Sequence, residues 1–175
     1  QALCDDILYQ MKRYFEVSIT QPIIDMIRHP LDKFVHSKSK LFAKRLRKGR
    51  VVQGHGALLP EHVHVQGETV HFISPQEVYK KYSVLDVAND VATMMVQLSI
   101  QGLPELAEHF LNKYQEASRD KDLITILPAY QTYCALRHGV STCEEKVARK
   151  DESLGSVALE YFNLATRYSR SITKD

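Results

Sequence analysis

Between Arg50 and Ser74 the sequence leaves helical spacing and begins to alternate, and this switch restricts the fold more than any other feature. Val63, Val65, Val70 and Phe72 fall at period two around Gly67, the pattern of two strands joined by a tight turn. A two-residue turn at Gln66-Gly67 or at Gly67-Glu68 divides the faces in the same way. Val63, Val65, Val70 and Phe72 share one side, and His62, His64, His71 and Ile73 share the other. Val51 and Val52 precede this hairpin as a further short extended piece.

On both sides of that stretch the apolar residues recur at helical spacing. Leu3, Ile7, Met11 and Tyr14 mark a first helix, and Pro22 opens a second after Thr20. His29-Pro30 is expected to break the second helix, so that a third starts at Asp32 and runs through Phe34, Val35, Leu41, Phe42 and Leu46 to a C-cap at Gly49. Beyond the hairpin, Asp86 is suited to cap a helix bearing Val87, Val91, Met94, Met95 and Leu98, ended by Gly102. Pro104 opens the next, expected to bury Leu106, Ala107, Phe110, Leu111 and Tyr114. A longer segment from Leu123 to Arg149 is expected to bend or break near Pro128 and Gly139, and a last helix to bury Val157, Tyr161, Leu164 and Tyr168. The fold class expected is α+β, mostly α-helical, with one small hairpin, in a single domain over residues 1–175.

With 175 residues, 44% of them hydrophobic and 25% charged, the chain can bury a core of its own. The apolar runs are too short for a membrane span, and no signal-peptide pattern is read at the start of the sequence. Gln1 in place of an initiator Met points to a processed chain or a piece of a longer protein. Cys4, Cys134 and Cys143 form no CxxC pair, so a reduced, cytoplasmic protein with inert thiols is expected. A net charge of +2 gives no argument for nucleic acid. The basic run Lys38, Lys40, Lys44, Arg45, Arg47, Lys48 and Arg50 has no aromatic residues interleaved for stacking. It is read as the solvated face of a helix whose Leu41, Phe42 and Leu46 point inward.

Three stretches, GRVVQGHGALLPEHVHV, VHFISPQEVYKKYSVLDVANDVATM and LPELAEHFLNKYQEA, resemble in order the C-terminal lobe of aminoglycoside phosphotransferase-like kinases, in the bacterial branch often fused to a P-loop ATPase domain. The likeness runs from about Lys38 to Arg149, and Leu85-Asp86-Val87-Ala88-Asn89-Asp90-Val91-Ala92 is its strongest segment. It implies a protein-kinase-like C-lobe whose hairpin carries the remnant of a catalytic loop: His55, Gly56, Ala57, His62 and Ser74. In that family an Asp after His-Gly deprotonates the acceptor hydroxyl, and a second Asp after the hairpin binds the Mg²⁺ that bridges the nucleotide phosphates. Here those positions hold Ala57 and Ser74, neither of which supplies an anion.

Losing a general base alone costs about two to four orders of magnitude in rate, and this chemistry depends almost wholly on electrostatic stabilisation. The resemblance further implies a nucleotide-binding N-lobe, which has no counterpart in this sequence, and no GxxxxGK[ST] loop replaces it. The expectation is therefore a non-catalytic, pseudokinase-like interaction or scaffold domain. Its partner would be another protein or another domain of the same parent chain, and an apolar face left where the N-lobe would pack would favour homo-oligomers. Two alternatives stand beside it. One is a residual Mg-ATP phosphotransferase, with an N-lobe elsewhere and Glu61, His62 or Glu77 replacing the lost carboxylates. The other is a binder of Zn²⁺ or a small ligand through His62, His64 and His71, with His55 nearby. Asp86 and Asp90, four apart, are read as a cap and a first-turn acid rather than a catalytic pair.

Overall fold

The computed structural model describes residues 2–14, 20–73 and 84–172. Ser74 and Glu77 lie outside the described residues. The elements are α1 (Ala2–Met11), a 3-10 turn at Lys12–Tyr14, α2 (Gln21–Ser37), α3 (Ser39–Arg47), β1 (Val51–Gln53), a second 3-10 turn at Pro60–His62, β2 (Val63–Gln66), β3 (Thr69–Phe72), β4 (Val84–Asp86), α4 (Ala88–Ile100), α5 (Pro104–Ser118), α6 (Leu123–Arg149) and α7 (Leu154–Ile172). The protein is α+β and mostly helical, with two separate two-stranded antiparallel sheets among the described residues, β1–β4 and β2–β3. The chain divides into two compact units, Gln1–Ser39 with Pro128–Asp175, and Lys40–Leu127.

In the first unit α2 packs along α7. Ile24, Ile27, Leu31 and Phe34 form a buried stripe on α2 at helical spacing, and α7 offers Ala158, Tyr161, Phe162, Leu164 and Ala165. Pro30 does not end α2: the helix runs through it to Ser37. An internal proline costs about 3 kcal/mol, while each fully buried large apolar side chain returns about 1.5–3 kcal/mol. Two of the four stripe residues, Leu31 and Phe34, follow the proline, so their burial outweighs it. Met26, whose carbonyl loses its helical partner, is on the exposed side, where water can replace the missing donor. The break falls instead at Lys38, whose amide bonds Phe34 O before α3 begins.

α6 is unbroken through Pro128 and Gly139. Gly139 is buried, and a Cβ placed on it would lie 2.5 Å from Cε1 of Phe162, so the space a side chain would take is already filled by α7. Cys134 and Cys143 are buried on α6, as expected of inert thiols.

The second unit is built on α4. From Ala88 to Leu98 it is buried nearly all round, which suits a central helix rather than a surface one. α5 lies against it, approaching through the small Ala107. Phe110, Leu111 and Tyr114 are half-buried, and Leu106 is exposed, contrary to the pattern read from the sequence. β4 was not foreseen. It pairs with β1 in the register Val51↔Asp86, Val52↔Leu85 and Gln53↔Val84, and carries the chain directly into α4.

The inward face of α3 also differs from expectation. Leu46 is 61% exposed, whereas Arg45 is fully buried. Arg45 Nε and Nη2 each donate to an Asp86 oxygen at 2.7 Å, and Nη1 donates to Asp120 Oδ1 at 2.9 Å. Arg50 Nη2 donates to Ser118 O at 3.1 Å, and Lys44 Nζ to Asp122 Oδ1 at 2.9 Å. Burying a guanidinium requires carboxylates around it, and Asp86 and Asp120 supply them, raising the Arg45 pKa further even against the cost of burial. Arg45, with Lys44 and Arg50, therefore pins α3 to the start of α4 and to the turn at residues 118–122, while Lys40, Arg47 and Lys48 face solvent.

Candidate functional site

The loop Gly54–Leu59, the 3-10 turn and the β2–β3 hairpin hold the residues singled out in the sequence. The hairpin register is Val63↔Phe72, His64↔His71, Val65↔Val70 and Gln66↔Thr69, so the turn is Gly67-Glu68. Gly67 has φ +60° at the first central position, as a II′ turn requires of glycine. Val65, Val70 and Phe72 on one face and His64 and His71 on the other are all exposed, leaving Val63 as the half-covered root of the ribbon.

The loop is fastened to the first turn of α4. Asp90 Oδ2 accepts from the His55 amide at 2.8 Å, and Asn89 Nδ2 donates to Gly56 O at 3.1 Å. A Cβ on Gly54 would stand 2.7 Å from Asp90 Oδ2, so the loop can come this close only where the side chain is absent. Asp86 Oδ1 accepts from the Ala88 amide at 2.9 Å, giving α4 its cap while the same carboxylate holds Arg45. Asp86 and Asp90 thus have the structural duties read from their spacing, and Asp90 adds one that the sequence did not reveal: it orders a loop about 35 residues earlier in the chain.

His55 Nε2 lies 2.9 Å from Ile73 O and, since a carbonyl only accepts, carries the proton. Its Nδ1 is buried with no partner among the described residues. His62 Nδ1 lies 3.2 Å from Ala57 O and 3.5 Å from the Leu59 amide; the shorter contact makes Nδ1 the donor. The two rings stack at 4.8 Å between centroids, inclined by 26°. The structure thus brings His62 together with His55, not with His64 and His71. Among the described residues no group of three or more His, Cys, Asp or Glu side chains is placed to hold a metal ion.

Ala57 sits in the middle of this loop and is 2% exposed. Its methyl group is enclosed, its carbonyl is met by His62, and the preceding carbonyl by Asn89. The nearby Asp90 carboxylate accepts from the His55 amide and lies 3.4 Å from Asn89 Nδ2. Glu61 is exposed. The arrangement holds a loop firmly and presents imidazoles; it places no carboxylate at position 57. The residues that sequence reasoning missed are Arg45 and Asp120. Arg45 falls three residues after Phe42, in step with the apolar stripe, but a lone arginine at such a position gives no sign of which acids will meet it.

Among the described residues no helix is long and apolar enough to cross a membrane. No known family model matches the chain, and no solved structure does. It is similar to uncharacterised proteins of Mycobacterium bovis and of two strains of Mycobacterium tuberculosis, each 24% identical over 166 residues that make up 95% of this chain and 33% of the relative. The chain spans about a third of the length of the curated relatives it matches.

Proposed function

We propose that this chain is a non-catalytic, pseudokinase-like interaction or scaffold domain, a C-lobe derived from aminoglycoside phosphotransferase-like kinases. Its partner is another protein or a further domain of its own parent chain. The observation that carries the reading is Ala57: where the family places its catalytic carboxylate, this loop has an enclosed methyl group between carbonyls already engaged. The anchoring of the loop by Asn89 and Asp90 supports a geometry kept for shape after the reacting group is gone.

The test is a pair of measurements on the purified chain. Thermal melting with Mg-ATP and with Mg-GTP is expected to leave the midpoint unchanged, since a ligand that binds only the folded state raises it. Terminal-phosphate hydrolysis is expected to be at background for the wild type and for Ala57→Asp alike. A saturable nucleotide shift together with phosphate release would overturn the proposal.

A second reading is a phosphotransferase completed by segments outside this chain, with Glu61 or His62 near the reacting group. It draws on the length of the relatives, which is about three times the matched span, and on His62 Nδ1 lying 3.2 Å from the Ala57 carbonyl. Nucleotide binding abolished by His62→Ala would favour it.

A further inference from the structure

Two histidines of the hairpin stand apart from the loop. His64 and His71 are directly opposed across β2 and β3. The Ile73 amide donates to His62 O at 2.9 Å, which makes residues 62 and 73 a hydrogen-bonded pair. Two residues nearer the turn, 64 and 71 form the next such pair, with Cα atoms about 5.5 Å apart. Directly opposed side chains leave the sheet on the same side, with Cβ atoms about 4.5–5.5 Å apart. Both residues are exposed, and neither ring takes part in a hydrogen bond, ion pair or ring contact among the described residues. His55 and His62, by contrast, are engaged with the loop and with each other.

We propose that His64 and His71 form a two-histidine clamp for one borderline transition-metal ion, Zn²⁺ or Ni²⁺. Neutral imidazole suits these metals. At a Zn–N distance of about 2.0–2.1 Å, two ligand nitrogens in tetrahedral geometry lie about 3.3 Å apart, a gap that two rings on neighbouring strands close by side-chain rotation alone. The paired strands fix the backbone positions of both ligands before the ion arrives, so only the ordering of the two side chains opposes binding. His62 lies in the 3-10 turn ahead of β2, with its ring turned to Ala57 and His55, and does not join. The ion keeps its remaining positions for water or for a donor on another molecule. This site is independent of the proposed loss of phosphoryl transfer.

Calorimetric titration with ZnCl₂ and with NiCl₂ at pH 7.5 tests it. The wild type is expected to bind saturably, with affinity about tenfold or more weaker in His64→Ala and in His71→Ala, and unchanged in His62→Ala. His64→Ala and His71→Ala are surface substitutions, and a cooperative metal-free melt of all three variants would show that they are folded. Absence of saturable binding below about 1 mM, binding retained by His71→Ala, or binding lost in His62→Ala would overturn the clamp.

Discussion

Arg45 grips Asp86 with two parallel bonds of 2.7 Å and reaches Asp120 with a third of 2.9 Å, all out of contact with water. Removing the guanidinium leaves Asp86 buried without its counter-charge and Asp120 with Arg50 alone, 3.6 Å away, a loss of about 3–5 kcal/mol for a broken buried pair. Arg45→Ala is therefore expected to lower unfolding stability by about that amount in a urea titration. Lys113→Ala, which removes an exposed pair with Glu116, is expected to change it by less than about 1 kcal/mol. Equal effects from the two would contradict this account.

His138 makes stability depend on pH. Its ring stacks on Tyr161 with centroids 5.7 Å apart, and Nε2 has no partner among the described residues. Burial, with a smaller contribution from the neighbouring Arg137, pushes its pKa down to about 3. A depressed histidine is neutral in the folded protein while the unfolded chain takes up a proton below about pH 6.5. Its stabilising effect is thus fully present above that pH and is lost as pH falls toward the folded value. The slope is at most about 1.4 kcal/mol per pH unit. His138→Phe is expected to flatten the stability profile between pH 6.5 and 4; an unchanged slope would remove His138 as its source.

Gly139 and Phe162 share one space. Alanine is normally the better helix former by about 1 kcal/mol, but here its methyl group would meet the Phe162 ring at 2.5 Å. Overpacking of this kind costs about 1–3 kcal/mol. Gly139→Ala is expected to destabilise, and the double variant with Phe162→Leu to suffer less from the added methyl than the wild-type background does. A double-mutant cycle measures the coupling.

Pro30→Ala is expected to stabilise. It restores a donor to the Met26 carbonyl inside α2 and relieves the ring's clash there. The greater freedom of the unfolded chain offsets part of this. A net gain of about 1–2 kcal/mol in chemical denaturation is the predicted result.

What could be read beforehand follows from where the controlling forces are local. The β2–β3 pairing was legible because alternation at Val63, Val65, Val70 and Phe72 and a glycine at 67 act within ten residues. The starts at Pro22 and Pro104 and the stop at Gly102 were legible for the same reason. Pro30 misled because its local cost is outweighed by Leu31 and Phe34, whose burial depends on a helix more than 100 residues away. Leu46 misled because Arg45 takes the inward position, and its acids come from residues 86 and 120. In the site, alternation put His64 and His71 on one face, as their pairing shows, but it also counted His62, which lies in the 3-10 turn ahead of β2. Only the loop geometry turns the His62 ring toward Ala57 and away from the other two.

Asp86 serves two masters: one oxygen meets both the Ala88 amide and the guanidinium, and the other meets the guanidinium alone. That sharing ties the fate of α3 to the first turn of α4, because neither helix end is complete while the other is frayed. Hydrogen exchange should find the amides around Arg45 and Ala88 opening together, as one cooperative block, although some forty residues of chain separate them.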